Sequence, residues 1–176
     1  GIIGYVGSGR ASQIITDGLK RLEYRGYDSV GIAVLKGGKG EIRKDKGMVE
    51  EVSSGLQFTD MDGNLGIGHT RWATHGAVCR ENAHPHADCA GNIILAHNGV
   101  IENYSGIRAT LASKGHKFAS ETDSEVIAHL IEENARRQPL LKAFISSIAS
   151  LEGSYGIVAL ASADTEERIF LARRNS

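Results

Sequence analysis

The sequence predicts an α+β fold of several layers, and three observations lead there. Strand-like runs open and close the chain, while helical periodicity fills the stretch between them. Several of those runs are apolar without a break, which implies sheets covered on both faces. The chain has 176 residues, 41% hydrophobic and 23% charged, enough for one domain with its own core.

The elements follow in order. Ile2-Ile3-Gly4-Tyr5-Val6 reads as a buried strand. Ile14, Ile15, Gly18, Leu19 and Leu22 recur on one face of a helix. Gly31 to Leu35 is apolar and β-prone, and Lys36-Gly37-Gly38-Lys39-Gly40 predicts a turn into a polar strand near Glu41 to Lys44. Leu65 to His69 and Ile93 to His97 read as two further strands separated by a long polar loop. Asn103 is placed to cap a helix carrying Ile107 and Leu111. Thr122-Asp123-Ser124-Glu125 fits a capping box ahead of Val126, Ile127, Leu130 and Ile131. Pro139 suits the first turn of a helix with Leu141, Phe144, Ile145 and Ile148. Gly156 to Ala161 and Arg168 to Ala172 close the chain as a strand pair.

Composition excludes several function classes. The net charge is −1 and basic residues are interspersed with acidic ones, so no nucleic-acid partner is expected. No apolar run approaches the roughly 18 residues of a membrane span, so no membrane partner is expected either. Two cysteines, Cys79 and Cys89, are too few for a disulfide scaffold and point to a reducing, cytoplasmic setting.

Gly68-His69-Thr70-Arg71-Trp72-Ala73-Thr74-His75-Gly76 carries the strongest chemical signal. It gathers a guanidinium fork, the only tryptophan, hydroxyls and imidazoles after a strand. Such a set suits a grip on a small zwitterion: Arg71 for a carboxylate, Trp72 over an aliphatic stem, Thr74 for a polar end. The plainer alternative is an arginine stacked on a tryptophan to hold a loop. His97-Asn98-Gly99 is similarly double. Asn-Gly is a strong hairpin signal, yet the Gly99 N–H and the Asn98 amide would also serve as two oxyanion donors. Asp123 either complements a helix macrodipole or receives a ligand's ammonium.

Two further patterns compete with these. Gly7-Ser8-Gly9-Arg10-Ala11-Ser12 lies between a strand and a helix but lacks the third glycine of a dinucleotide fingerprint. Cys79, His84, His86 and Cys89 offer four soft zinc ligands, at a spacing that matches no standard knuckle. Neither a metal nor a cofactor is expected on balance.

Taken in order, these pieces resemble the glutaminase domains of glutamine–fructose-6-phosphate aminotransferases, the glucosamine-6-phosphate synthases. The resemblance rests on Gly1-Ile2-Ile3-Gly4-Tyr5, Leu22-Glu23-Tyr24-Arg25-Gly26-Tyr27-Asp28-Ser29 and Gly68 to Gly76. It continues through Asn82-Ala83-His84-Pro85-His86, His97-Asn98-Gly99-Val100-Ile101-Glu102-Asn103 and Ser120 to His129, and so covers essentially residues 1–176. It implies a single type 2 glutamine amidotransferase domain with the N-terminal-nucleophile hydrolase fold, two stacked antiparallel sheets between helix layers (αββα). The implied activity is hydrolysis of the L-glutamine amide, with ammonia passed to downstream sugar-phosphate isomerase domains of a longer, homodimeric chain. By the same resemblance Arg71 binds the glutamine α-carboxylate and Asp123 its α-amino group. Trp72, Thr74 and His75 wall the pocket, Asn98 and Gly99 hold the oxyanion, and Arg25 lies near the reacting N-terminus.

The match departs from the family at its start. The family pattern places a nucleophilic cysteine immediately before the glycine that is Gly1 here, and Cys79 and Cys89 are internal. As it stands the sequence is expected to bind glutamine without hydrolysing it. Either that cysteine belongs before Gly1 and was modified, left out or trimmed, or the chain is a natural non-catalytic glutamine-binding module. A glutaminase domain of another amidotransferase is the remaining alternative.

Overall fold

The computed structural model describes residues 1–73, 76–163 and 166–175. Two four-stranded antiparallel sheets form its centre. The first contains β1 (Ile2–Val6), β2 (Ser29–Lys36), β3 (Lys39–Lys46) and β4 (Leu65–Arg71), in the order β1-β4-β2-β3. The second contains β5 (His86–Ala87), β6 (Ile93–Ile101), β7 (Gly153–Ala163) and β8 (Glu166–Arg174), in sequence order. Helices α1 (Ala11–Leu22) and α2 (Val49–Gly55) belong to the first half. Helices α3 (Tyr104–Ser113), α4 (Glu125–Ala135) and α5 (Leu140–Ala149) belong to the second.

The period of two along each strand sorts residues into layers. On β2, Val30, Ile32 and Val34 face Ile15 and Leu19 of α1 and Val49 and Val52 of α2. The alternate residues Ala33 and Leu35 join Leu65 and Ile67 of β4 against Ile94 and Ala96 of β6, Val158 and Leu160. On β6 the other parity, Ile93 and Leu95, meets Val126, Ile127 and Ile131 of α4 and Phe144 of α5. Three apolar layers therefore separate four structural ones, and the expected αββα arrangement is the one observed.

Several local expectations are corrected. Strand β1 forms as predicted but lies at a sheet edge and is only partly buried, with Val6 67% exposed. Helix α1 buries Ala11, Ile15 and Leu19, and Ile14 turns toward solvent. Asn103 occupies the N-cap position of α3, but its side chain bonds Ser150 O (2.9 Å) and the Glu152 N–H (3.2 Å). The Thr122–Glu125 box does not close. Glu125 accepts instead from the Ala119 and Ser120 N–H groups (2.8 and 2.7 Å), while Thr122 pairs with Ser120 and His86. Those carboxylate bonds tie the segment entering α4 onto the helix, and that segment carries Asp123.

Candidate active site

Strand β4 and strand β6 point residues at each other across the space between the sheets. His69 shares its parity with Leu65 and Ile67, and Asn98 shares its parity with Ile94 and Ala96, so both face inward. They meet at 2.9 Å, His69 Nε2 to Asn98 Oδ1. With the ring N–H donating to that oxygen, the Asn98 amide is held with its NH₂ end turned the other way.

Asn98 and Gly99 do not form a hairpin turn. They continue β6, pairing with Gly156 and Tyr155 of β7. Gly99 nonetheless requires glycine, because its φ is +124° and a Cβ there would lie 2.1 Å from Ser154 O. The distorted backbone leaves Gly99 exposed beside Asn98, and both line a cavity of about 270 Å³.

The same cavity is lined by Gly1, Arg25, Arg71, Trp72 and Asp123. Gly1 extends the β1–β4 ladder, its nitrogen donating to Thr70 O (2.6 Å) and its carbonyl accepting from Thr70 N (2.9 Å). Burial, with the Arg25 guanidinium adding to it, lowers the Gly1 amine from 8.0 to about 6. Arg25 is brought in by a one-turn 3₁₀ segment, Glu23–Arg25. Gly26 behind it packs so closely that a Cβ would stand 2.6 Å from the Arg71 carbonyl carbon.

Arg71 is buried, at 5% exposure, and its Nη1 donates to Ala77 O (3.3 Å). Desolvation weakens its charge, while Asp28, Cys79 and Asp123 support it. Asp123 is also buried. It accepts from the Ile101 N–H (2.8 Å) and the Ser124 hydroxyl (3.3 Å). A carboxylate has about four acceptor positions, so two neutral donors leave it capacity for an ammonium. Trp72 stands at the rim, 59% exposed, with its ring 5.6 Å from that of Tyr27. A cation, an anion, an apolar plate and a pair of donors thus converge, which is what a small amino acid with a reactive carbonyl requires.

The predicted residues Arg71, Trp72, Asn98, Gly99, Asp123 and Arg25 therefore meet at one place. Thr74 and His75 lie outside the described residues. Two partners went unnoticed in the sequence. Asp28 accepts the Ala73 N–H (2.7 Å) and its backbone N–H donates to Arg71 O (3.1 Å), anchoring the loop. His69 orients Asn98, and only the strand parities, applied to two sheets already stacked, reveal that.

The four-ligand grouping of Cys79, His84, His86 and Cys89 does not assemble. His84 stacks on His69 (4.3 Å between centroids) and edges on His86 (4.5 Å) in the buried layer. Cys89 turns elsewhere, toward His116 and His129. The Gly7–Ser12 segment lines no part of the cavity among its described residues; Gly9 N–H is taken by the Tyr5 hydroxyl (3.0 Å).

Comparisons with known proteins bear on the family and the fold. Residues 69–176 match the family model described as a glutamine amidotransferase domain. The whole chain is 53% identical to 29% of the glutamine–fructose-6-phosphate aminotransferase (isomerizing) of Pyrococcus horikoshii. It is 52% identical to 30% of the enzyme of that name from Sulfurisphaera tokodaii. The chain thus spans less than a third of the length of these curated relatives. Among solved structures, the glutamine phosphoribosylpyrophosphate amidotransferase of B. subtilis superposes with a TM-score of 0.81 at 30% identity. That match covers 97% of this chain and 36% of the other.

Proposed function

This chain belongs to the glutamine amidotransferase family, and from that premise we propose that it is the glutaminase part of a glutamine–fructose-6-phosphate aminotransferase. In this reading it releases ammonia from L-glutamine for a sugar-phosphate partner domain on the same polypeptide, as a cytoplasmic homodimer. The observation that carries it is the convergence of Arg71, Asp123, Asn98, Gly99 and the Gly1 nitrogen on one cavity.

Each group then has a role. Arg71 pairs with the substrate α-carboxylate and Asp123 with its α-ammonium, while Trp72, Thr74 and His75 enclose the stem. Arg25 sits beside the reacting end. The nucleophile is a cysteine joined to Gly1, which the ladder to β4 would seat at the same cavity. Its thiol gives a proton to its own α-amine, and the sulfur attacks the amide carbon. The two groups titrate near 8.5 and 7.7–8.0, close enough for transfer near neutral pH. The tetrahedral oxyanion lies against Gly99 N–H and Asn98 Nδ2. Its collapse expels ammonia, protonated by the same amine, and leaves a γ-glutamyl thioester. Water attacks that thioester, returning the thiol and releasing glutamate.

The test is glutamate release from glutamine by the chain with a cysteine directly before Gly1. Turnover is expected, with Arg71→Ala raising KM at least about tenfold, since a charge-assisted pair contributes roughly 1.5–3 kcal/mol. A folded, cysteine-bearing protein that releases no glutamate overturns the reading.

A further inference from the structure

Away from the cavity, four ligand-type side chains from three chain segments point at one spot. Cys89 follows β5, His116 follows α3, and His129 and Glu132 stand one turn apart on α4. Their donor atoms all lie within 4.8 Å of one another. His116 Nδ1 is 3.2 Å from His129 Nδ1, and Glu132 Oε2 is 3.1 and 3.5 Å from those two nitrogens. Cys89 Sγ is 3.7 Å from His116 Nδ1 and 3.4 Å from His129 Nδ1.

Five of the six separations match the edges of a metal-sized tetrahedron, and the sixth, Cys89 Sγ to Glu132, lies within 4.8 Å. Zn–N and Zn–O bonds of about 2.0–2.2 Å and a Zn–S bond of about 2.3 Å place tetrahedral ligands roughly 3.3–3.6 Å apart. The far sides of the rings fit the same purpose. His116 Nε2 is 3.4 Å from Glu133 Oε2, and His129 Nε2 is 3.6 Å from Glu125 Oε1. The Glu133 carboxylate favours a proton on His116 Nε2, the outer arrangement found behind metal-bound histidines, while Glu125 lies just beyond hydrogen-bond distance of His129 Nε2. Both Nδ1 atoms then present lone pairs to each other and to a carboxylate oxygen, three acceptors facing the Cys89 sulfur, with the Cys89 N–H donating to that oxygen (3.2 Å). Burial makes that costly without a cation: His116 is 4% exposed and His129 1%. Cys89 is exposed, which gives an ion a way in.

We propose that Cys89, His116, His129 and Glu132 form a structural zinc site. One thiolate and one carboxylate balance the charge of Zn²⁺, and the sulfur and nitrogen donors disfavour magnesium and calcium. All four positions of the tetrahedron are filled by protein, the hallmark of a structural centre and not of a catalytic one. The ion would clamp the loop after β5 and the segment after α3 onto α4, whose N-terminal approach carries Asp123.

Metal analysis and cobalt spectroscopy test this on the 176-residue chain. After chelation, the protein should take up one equivalent of zinc and melt at a higher temperature when loaded. Cobalt in its place should show the intense visible bands of a tetrahedral ion and a thiolate-to-cobalt charge-transfer band. That band should vanish in Cys89→Ser and persist in Cys79→Ser. Glu133→Gln, which keeps all four ligands, should weaken zinc binding about tenfold to a hundredfold. Unmodified protein that takes up neither ion overturns the proposal. A charge-transfer band surviving in Cys89→Ser overturns it as well.

Discussion

Among the described residues two groups of buried histidines stand out, and they are built in opposite ways. His69, His84, His86 and His97 sit in and beside the layer between the sheets, and their direct partners are neutral: Asn98, Ser124, Thr122 and one another's rings. Burial holds His69 down at about 3 and pushes His84 and His86 well below the ordinary histidine value. His116 and His129 instead face Glu125, Glu132 and Glu133. The first group is a set of rings whose charged form burial disfavours, and they pack and aim hydrogen bonds. The second turns both Nδ1 atoms toward the Cys89 sulfur and the Glu132 carboxylate, while Lys114 and Arg136 pair with Glu133 on the outer side. The residue type is the same in both; what faces it decides the use.

The largest expected effect lies where the first group reaches the cavity. In the chain with a cysteine joined to Gly1, Asn98→Ala should lower kcat by about 10²–10³, the usual consequence of losing one oxyanion donor. Zinc uptake at the Cys89 cluster should be unaffected, and a loss of metal would mean that the two histidine regions are not independent. A smaller effect is expected one step back. His69→Phe keeps a flat ring against His84 but removes the bond to Asn98. It should lower kcat by up to about tenfold, in line with the roughly 0.5–1.5 kcal/mol of a neutral hydrogen bond, and leave KM nearly unchanged. Equal losses in Asn98→Ala and His69→Phe would mean that the ring does more than orient the amide.

A third effect concerns acid. An unfolded histidine takes its proton near 6.5, whereas His69 in the folded chain resists until about 3. Between those values the unfolded chain binds more protons, so this contribution to stability is complete above about 6.5 and declines as the pH falls toward 3. Melting temperatures recorded down that range should fall steadily, and His69→Phe should flatten the slope. A wild-type slope of zero would mean that the inter-sheet rings are protonated in the fold after all.

The architecture was legible because it rests on local periodicity. Val30, Ile32 and Val34 alternate with Ala33 and Leu35, and a run apolar at both parities is a strand covered on both faces. Ile15 and Leu19 lie one helical turn apart, and Phe144 with Ile148 repeats the pattern. Residue chemistry likewise singled out Arg71 and Trp72, because guanidinium and indole in those surroundings suit a ligand better than a core, whereas Asn98 and Asp123 read equally as a turn and a helix-start charge until the family resemblance gave them roles.

What the chain alone left open depends on pairings between distant segments. Asn98-Gly99 reads as a turn until β7 is laid beside it, since a dipeptide cannot reveal whether its neighbours fold back or continue. Thr122 and Glu125 have the spacing of a capping box, yet His86, brought in by the tertiary fold, pairs with Thr122, and the neighbouring Ser120 backbone takes the Glu125 carboxylate. Cys89 lies three residues from His86 in sequence and belongs with His116 and His129 in space. Sequence spacing fixes which side chains share a face of one element. Which faces meet is set by strand register and layer stacking, and those are settled only when the whole core is buried at once.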